Sequence, residues 1–375
     1  MRGGGRGNRL VSVDALRGVA ILLMIQVHFV QNLTPRAGWE RLYDLSIWLG
    51  YLPAPIFAFL VGFSLWLWLE REEGSPASSW GIGERAIRRG VALFLGGLVF
   101  AVVIWLPYQV FDWDILTFLG AATAILYFMR KCPPGMLVAI AAAIMACSPR
   151  LREMSGYASH WRDDQYFYRF EPEEILNGFL LQGYFPLLPW LAFPLTGFAS
   201  AELTCGLAYK RSNRMLPVDG VALIGLSALW AGGGGFLPRW LRDLGGGLSF
   251  YPASTAFILG ALGLVLLGLW AFHVLLDYGG TDGFGWLARY GRFSLSTYVI
   301  HHAVHVWPMY AVALAAGPGD IERFYGNAIS TPLALFLAFA FIMVFAPVLS
   351  AWEKRGGRWS FEHFLRWASR GGAYG

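Results

Sequence analysis

Four histidines of this chain, His28, His301, His302 and His305, stand inside long apolar runs, where an ionisable side chain is costly and marks function. A neutral imidazole near pH 7 can take a proton from a hydroxyl or amine attacking an ester or thioester carbonyl. It can also accept the acyl group itself before handing it on. His28 closes the stretch Arg9-Leu-Val-Ser-Val-Asp-Ala-Leu-Arg-Gly-Val-Ala-Ile-Leu-Leu-Met-Ile-Gln-Val-His28 and is the leading candidate base. Tyr298 lies one turn before His302, while His301 and His305 share a helix face, so His301 and Tyr298 join His28 as candidate catalytic groups. The His301/His305 spacing offers two metal ligands, but the sequence places no third. Pocket lining or substrate hydrogen bonding is the better reading, and no metal is expected.

At the start of the same stretch Asp14 and Arg17 are three residues apart and share a helix face. Two readings stand side by side. Ser12 or Asp14 caps the helix start, or Arg17 and the positive helix end receive an anionic group arriving from the cytoplasm. Eleven residues separate Arg17 from His28, roughly 16 Å along a helix axis. Asp112 and Asp114 are further carboxylates, read as solvated in a short external loop.

Positioning these groups requires a membrane. Of the residues 56% are hydrophobic and 14% charged, with mean hydropathy +0.49, against about 25% charged in soluble domains. The apolar runs predict an all-α polytopic membrane protein with about ten transmembrane helices, at 14–33, 45–69, 88–107, 113–130, 134–148, 178–205, 218–232, 253–276, 293–312 and 331–350. With the N-terminus in the cytoplasm, 20 of the 29 Lys and Arg fall on the inner side, which supports an even number of spans and both termini cytoplasmic. The expected layout is a cytoplasmic tail over 1–13, a membrane domain over 14–350 and a cytoplasmic tail over 351–375. An external loop or lid over 149–177, dense in charge and aromatics, interrupts the membrane domain. Prolines break two spans: Pro53 and Pro55 near the start of the second, and Pro186, Pro189 and Pro194 in the sixth. Broken backbone is tolerated at membrane depth where it lines protein or an aqueous pocket. Gly62 and Ser64 are read as close-packing positions.

Other classes fall away. No ten-residue dyad alternation suggests a β-barrel. The net charge of +5 comes from short loops rather than one basic face, so nucleic acid is not an expected partner. Cys132, Cys147 and Cys205 form no metal-spaced cluster and read as buried small hydrophobes. The glycines at 232–235 and 245–247 lack the GxxxxGK[ST] pattern of a phosphate loop. The first apolar run has no small-residue cleavage site and is expected to be retained. An acceptor outside the membrane cannot easily bring its own activated donor, which points to acyl transfer from a cytoplasmic coenzyme A thioester. On the residues alone, a transporter or flippase for a polar or lipid-linked solute and a non-catalytic scaffold remain open.

The opening Arg9–His28 stretch resembles that of the heparan-alpha-glucosaminide N-acetyltransferase family, within a wider superfamily of transmembrane acyltransferases. Supporting runs are Pro55-Ile-Phe-Ala-Phe-Leu-Val-Gly62, Tyr184-Phe-Pro-Leu-Leu-Pro-Trp190 and Gly291-Arg-Phe-Ser-Leu-Ser-Thr-Tyr-Val-Ile-His301. The Trp352–Trp367 stretch is similar to the tails of related bacterial membrane proteins. The resemblance, to a bacterial-type member, implies acetyl-coenzyme A (acetyl-CoA) as the donor on the cytoplasmic side and a sugar amine or hydroxyl as the external acceptor. Asp14 and Arg17 match the family's Asp and Arg at the start of the first span, and with Arg292 and Ser296 they are assigned to the donor. Where this chain has His28 the animal enzyme has asparagine, and its catalytic histidine follows in the next external loop. This chain has no histidine between His28 and His160, so either His28 takes the base role from the end of the first span or the chemistry differs from that of the animal enzyme. The acceptor is then expected to be a cell-envelope glycan, lipid-linked sugar or small glycoside. A bacterial inner (plasma) membrane location, membrane lipid as a partner and a possible homodimer complete the expectations.

Overall fold

The computed structural model describes residues 10–73, 79–105, 109–162, 165–205, 209–232, 247–280, 282–317 and 325–369. Arg2, Arg6, Arg9, Arg370 and both glycine runs apart from Gly232 and Gly247 lie outside them. Helices dominate: α1 (Val11–Leu33), α2 (Glu40–Gly50), α3 (Pro53–Glu73), α4 (Ser79–Ile104), α5 (Ile115–Met129) and α6 (Pro134–Met154) come first. A two-stranded antiparallel hairpin follows, β1 (Trp161–Arg162) and β2 (Gln165–Tyr166), pairing Trp161 with Tyr166. Then come α7 (Pro172–Asn177), α8 (Leu187–Trp190), α9 (Ala192–Cys205), α10 (Tyr209–Gly232) and α11 (Thr255–Phe272). The last four are α12 (Gly285–Arg292), α13 (Ser294–Ala316), α14 (Thr331–Lys354) and α15 (Phe361–Ser369).

Among the described residues nine helical segments are long and apolar enough to cross a membrane, and α5 is a shorter apolar tenth. The chain is therefore an all-α polytopic membrane protein. Apolar side chains such as Val99, Phe128, Val218 and Val344 point outward from the bundle, as lipid-facing positions must.

Several boundaries differ from the sequence reading for local reasons. The 45–69 span divides at Tyr51–Leu52, where α3 begins at Pro53; proline is tolerated in a first turn because its missing N–H would be unpaired anyway. The 134–148 span runs on as helix to Met154 despite Pro149, so the start of the 149–177 segment is helical. The 178–205 span is broken as its prolines require: a wide turn over Gly178–Gln182, an irregular stretch at Gly183–Pro186, then α8 and α9. The freed backbone finds partners, with Tyr184 N–H donating to Asp112 O at 3.0 Å and Phe185 N–H to Trp113 O at 3.1 Å.

Without a hydrophobic drive between helices in lipid, close backbone approach holds the bundle together, and small residues permit it. Gly62 of α3 lies against Pro194 O, and Gly197 of α9 lies against Phe59 O; a Cβ at either glycine would collide with that carbonyl. The same reciprocal arrangement joins α1 to α12, through Gly18 against Leu287 O and Gly291 against Asp14 O. The α12–α13 corner is thereby pinned to the first turns of α1, which sets the level at which α13 presents its histidines to His28.

Candidate active site

A cavity of 540 Å³ runs into the bundle among α1, α3, α4, α5, α12, α13 and α15. Five arginines line it, Arg17, Arg71, Arg89, Arg292 and Arg366, against three carboxylates, Asp14, Glu353 and Glu362. They come from α1, the end of α3, the first half of α4, the ends of α12 and α14, and α15. All are segments that charge counting assigns to one side.

Much of the acidic charge is already committed. Arg17 pairs with Asp14 at 3.4 Å and donates to Ser64 Oγ at 2.8 Å, so Ser64 orients an arginine as well as packing. Glu353 accepts from Arg289 Nε at 2.6 Å and pairs with Arg292. Arg89 and Arg366 have no carboxylate partner among the described residues, and Arg89 stands close enough to Arg17 and Arg366 to feel both charges. The mouth therefore concentrates positive charge, with five arginines against three carboxylates. Deeper in, Phe57, Val61, Leu93, Leu116 and Leu119 make an apolar wall, and the cavity reaches Met24, Ile115 and Tyr298.

Ser296 is placed differently from the other candidate donor residues. It is fully buried and does not line the cavity. Its hydroxyl donates to Glu362 Oε2 at 2.5 Å and accepts from Phe361 N–H at 2.8 Å, while its own N–H donates to Glu362 Oε1 at 2.9 Å. Ser296 tethers α15 over the mouth. Asp14, Arg17 and Arg292 do line the cavity.

Tyr298 marks the boundary between cavity and histidines. Its hydroxyl donates to Asp114 Oδ2 at 2.7 Å, and its ring lies 4.7 Å from that of His302 and 5.7 Å from that of His301. Asp114 also accepts from Leu116 N–H at 2.9 Å, capping α5. The expectation that Asp114 is merely solvated is therefore corrected: α5 is short enough to bring its N-cap inside the bundle. The neighbouring loop carboxyl, Asp112, is pushed up to about 8 by burial and then by the charge of Asp114.

Beyond Tyr298 the helices bring all four histidines together. His28 Nδ1 lies 3.0 Å from His301 Nε2, and the His28 ring is 4.4 Å from that of His302 and 6.5 Å from that of His305. On α13 each imidazole uses Nδ1–H on the carbonyl one turn back. His301 donates to Thr297 O at 2.9 Å, His302 to Tyr298 O at 2.9 Å, and His305 to His301 O at 2.6 Å. A carbonyl can only accept, so the neutral rings carry the proton on Nδ1 and a lone pair on Nε2. His28 must then donate from Nδ1 to His301 Nε2, which leaves its own Nε2 as a free base. Asn32 Nδ2 donates to His305 Nε2 at 2.8 Å, and Tyr325 OH donates to Asn32 Oδ1 at 2.9 Å. His28 is half-buried and the other three are fully buried. Gln26 turns away to Ser46 O at 3.3 Å.

The three candidate catalytic residues thus converge from parts of the chain about 270 residues apart. Asp114, Arg89, Arg366 and Asn32 were not singled out from sequence as site groups. Asp114 carried one usable signal, a carboxylate directly before an apolar helix too short to span.

Comparison with curated proteins finds no match. The family described as heparan-alpha-glucosaminide N-acetyltransferase, catalytic, matches residues 9–231. That match takes in Asp14, Arg17, His28, Arg89 and Asp114, and stops before α12 and α13. It spans more than half of the chain and, with the membrane-spanning bundle, shows that the protein belongs to the heparan-alpha-glucosaminide N-acetyltransferase catalytic family of membrane acetyltransferases.

Proposed function

We propose that the protein moves an acetyl or other short acyl group from cytoplasmic acyl-CoA to an amine or hydroxyl of a sugar or glycoconjugate on the far side of the membrane. The observation that carries this reading is the single cavity that begins at five arginines and ends at Tyr298, beside the histidines. A coenzyme A thioester has the complementary shape, with an anionic nucleotide head, a thin arm and the reactive carbonyl at its tip. The volume is within the roughly 300–1,000 Å³ usual for ligand sites. Guanidinium groups recognise phosphate through paired N–H donors, so Arg17, Arg89 and Arg366 suit the head. Asp14 orients Arg17, and Arg292 adds to the positive field.

In this reading the acceptor N–H or O–H attacks the thioester carbonyl, forming the C–N or C–O bond as the C–S bond breaks. His28 takes the acceptor proton on Nε2 and returns it to the departing sulfur, giving coenzyme A thiol with no other reactant. Asp114 holds Tyr298 at the inner end, and the contact with His301 Nε2 fixes the His28 ring. Placing the mouth in the cytoplasm follows from the inner-side excess of Lys and Arg. A cell-envelope glycan or lipid-linked sugar suits an acceptor that approaches from outside.

The test is transfer of label from acetyl-CoA by purified protein in lipid nanodiscs, against a panel of amino sugars and glycosides. Wild type should label at least one acceptor, and His28→Ala should bind acetyl-CoA normally while losing at least about 100-fold in transfer, the lower end of general-base effects. Full transfer by His28→Ala removes the proposed base; absence of acetyl-CoA binding by wild type removes the donor.

A further inference from the structure

We propose that His28, His301 and His302 form a binding site for one transition-metal ion of the zinc class, and that an ion bound there silences His28 as a base. The site itself stands on geometry alone; only its effect on turnover rests on the transfer reading above.

Three observations converge on it. First, one ring nitrogen from each of the three lies within 4.8 Å of the others. Two imidazoles sharing a tetrahedral zinc at about 2.05 Å hold their nitrogens about 3.3 Å apart. His28 Nδ1 and His301 Nε2 are already at 3.0 Å. The third nitrogen closes by at most about 1.5 Å to reach the same spacing, which a turn of an imidazole about its side-chain bonds supplies.

Second, the α13 ligands are pre-set. Metal-bound histidines characteristically donate their other ring N–H to a carbonyl or carboxylate, which fixes tautomer and orientation. His301 and His302 do this through Thr297 O and Tyr298 O, both at 2.9 Å, on the rigid backbone of their own helix.

Third, donors are in short supply. Four neutral imidazoles, each with one in-plane lone pair, stand with ring centres no more than 6.5 Å apart. Among the described residues only Asn32 Nδ2–H and the His28 ring N–H are directed at them. The lone pairs on His302 Nε2 and on the second nitrogen of His28 receive no hydrogen bond there. His305 is already satisfied by Asn32 and is not needed as a ligand. An electron-rich cluster of neutral nitrogens favours a borderline cation: imidazole suits zinc, copper, nickel and cobalt, whereas magnesium and calcium require oxygen ligands. Three histidines also leave the fourth position of a tetrahedral ion open.

The consequence for His28 follows from its valence. A neutral imidazole has one in-plane lone pair, so an ion at either nitrogen leaves the other protonated and unable to accept a proton. Metal and acceptor therefore compete for the same electrons.

The test uses the full-length protein, stripped with chelator and held in nanodiscs, with cobalt(II) and then zinc(II) as probes. Cobalt should bind at one equivalent with the ligand-field absorption of a tetrahedral nitrogen site, and zinc should displace it. His302→Phe keeps a ring against Phe100 and Trp105, whose ring centres lie 5.1 and 5.6 Å from that of His302, while removing the ligand. This variant should lose the cobalt spectrum, and a second variant, His301→Gln, should do the same. Replacing the exposed His363 should leave the spectrum unchanged. Absence of stoichiometric cobalt binding, or a spectrum unaffected by both ligand variants, overturns the site. Stoichiometric binding by a protein that, metal-free, shows no acyl transfer upholds the site and sinks the transfer reading instead. Turnover that proceeds undiminished with zinc bound overturns the proposed silencing of His28.

Discussion

Replacing Arg89 by alanine removes a guanidinium that lines the cavity, lies near Arg17 and Arg366, and has no carboxylate partner among the described residues. No acid is left unpaired by the change, so the fold should be unharmed, and the relief of like charge works in its favour. Donor binding should suffer. A hydrogen bond to a charged group contributes about 1.5–3 kcal/mol, which predicts acetyl-CoA affinity weaker by about 10- to 150-fold. Arg89→Lys retains the charge without the planar fork and should fall between the two. Equilibrium binding of labelled acetyl-CoA in nanodiscs reads the effect, with acetyl-pantetheine as the control because it lacks the nucleotide. The variant and wild type should bind the control equally, and added salt should weaken acetyl-CoA binding to wild type more than to the variant. Equal acetyl-CoA affinity in the two proteins would refute the assignment of this mouth to the nucleotide.

Three other expectations follow from particular contacts. Tyr298→Phe deletes the donor 2.7 Å from Asp114 and should cost about 1–3 kcal/mol of stability, read as a lowered melting temperature, with transfer reduced while donor affinity holds. Gly197→Leu drives a side chain into the Phe59 carbonyl and should cost at least about 1–3 kcal/mol, seen as loss of monodisperse folded protein in size-exclusion chromatography. Asp112 is held more protonated in the native protein than in the unfolded chain, so its contribution is complete below about pH 4 and lost as pH rises through about 8. The melting temperature should therefore fall across that range, and Asp112→Asn should flatten the decline.

The membrane architecture was legible because lipid imposes a one-dimensional pattern. Apolar runs located the spans, arginine counts set their alternation, and Pro186 and Pro189 announced the break that precedes α9. The site was legible only in its parts. His28, His301 and Tyr298 could each be singled out as polar groups at apolar positions, yet no periodicity states that α1 and α13 face each other. That is decided by Gly18 and Gly291, which let α12 lie on the backbone of α1. Ser296 was assigned to the donor, yet its partner, Glu362, lies 66 residues away in a tail helix, a pairing that no local pattern announces. Asp114 looked solvated because its depth depends on α5 being short, a property of length rather than of the residue. The grouping of His28 with His301 and His302 was invisible for the same kind of reason, since His28 meets His301 across 273 positions of sequence.

The most direct test of the account is a structure of the protein with a non-hydrolysable acetyl-CoA analogue bound. The account predicts nucleotide density against Arg17, Arg89 and Arg366, an arm running past Leu116 and Leu119, and the acyl carbon beside Tyr298 within reach of His28. A nucleotide bound elsewhere, or an acyl end directed away from Tyr298 and the histidines, would contradict it.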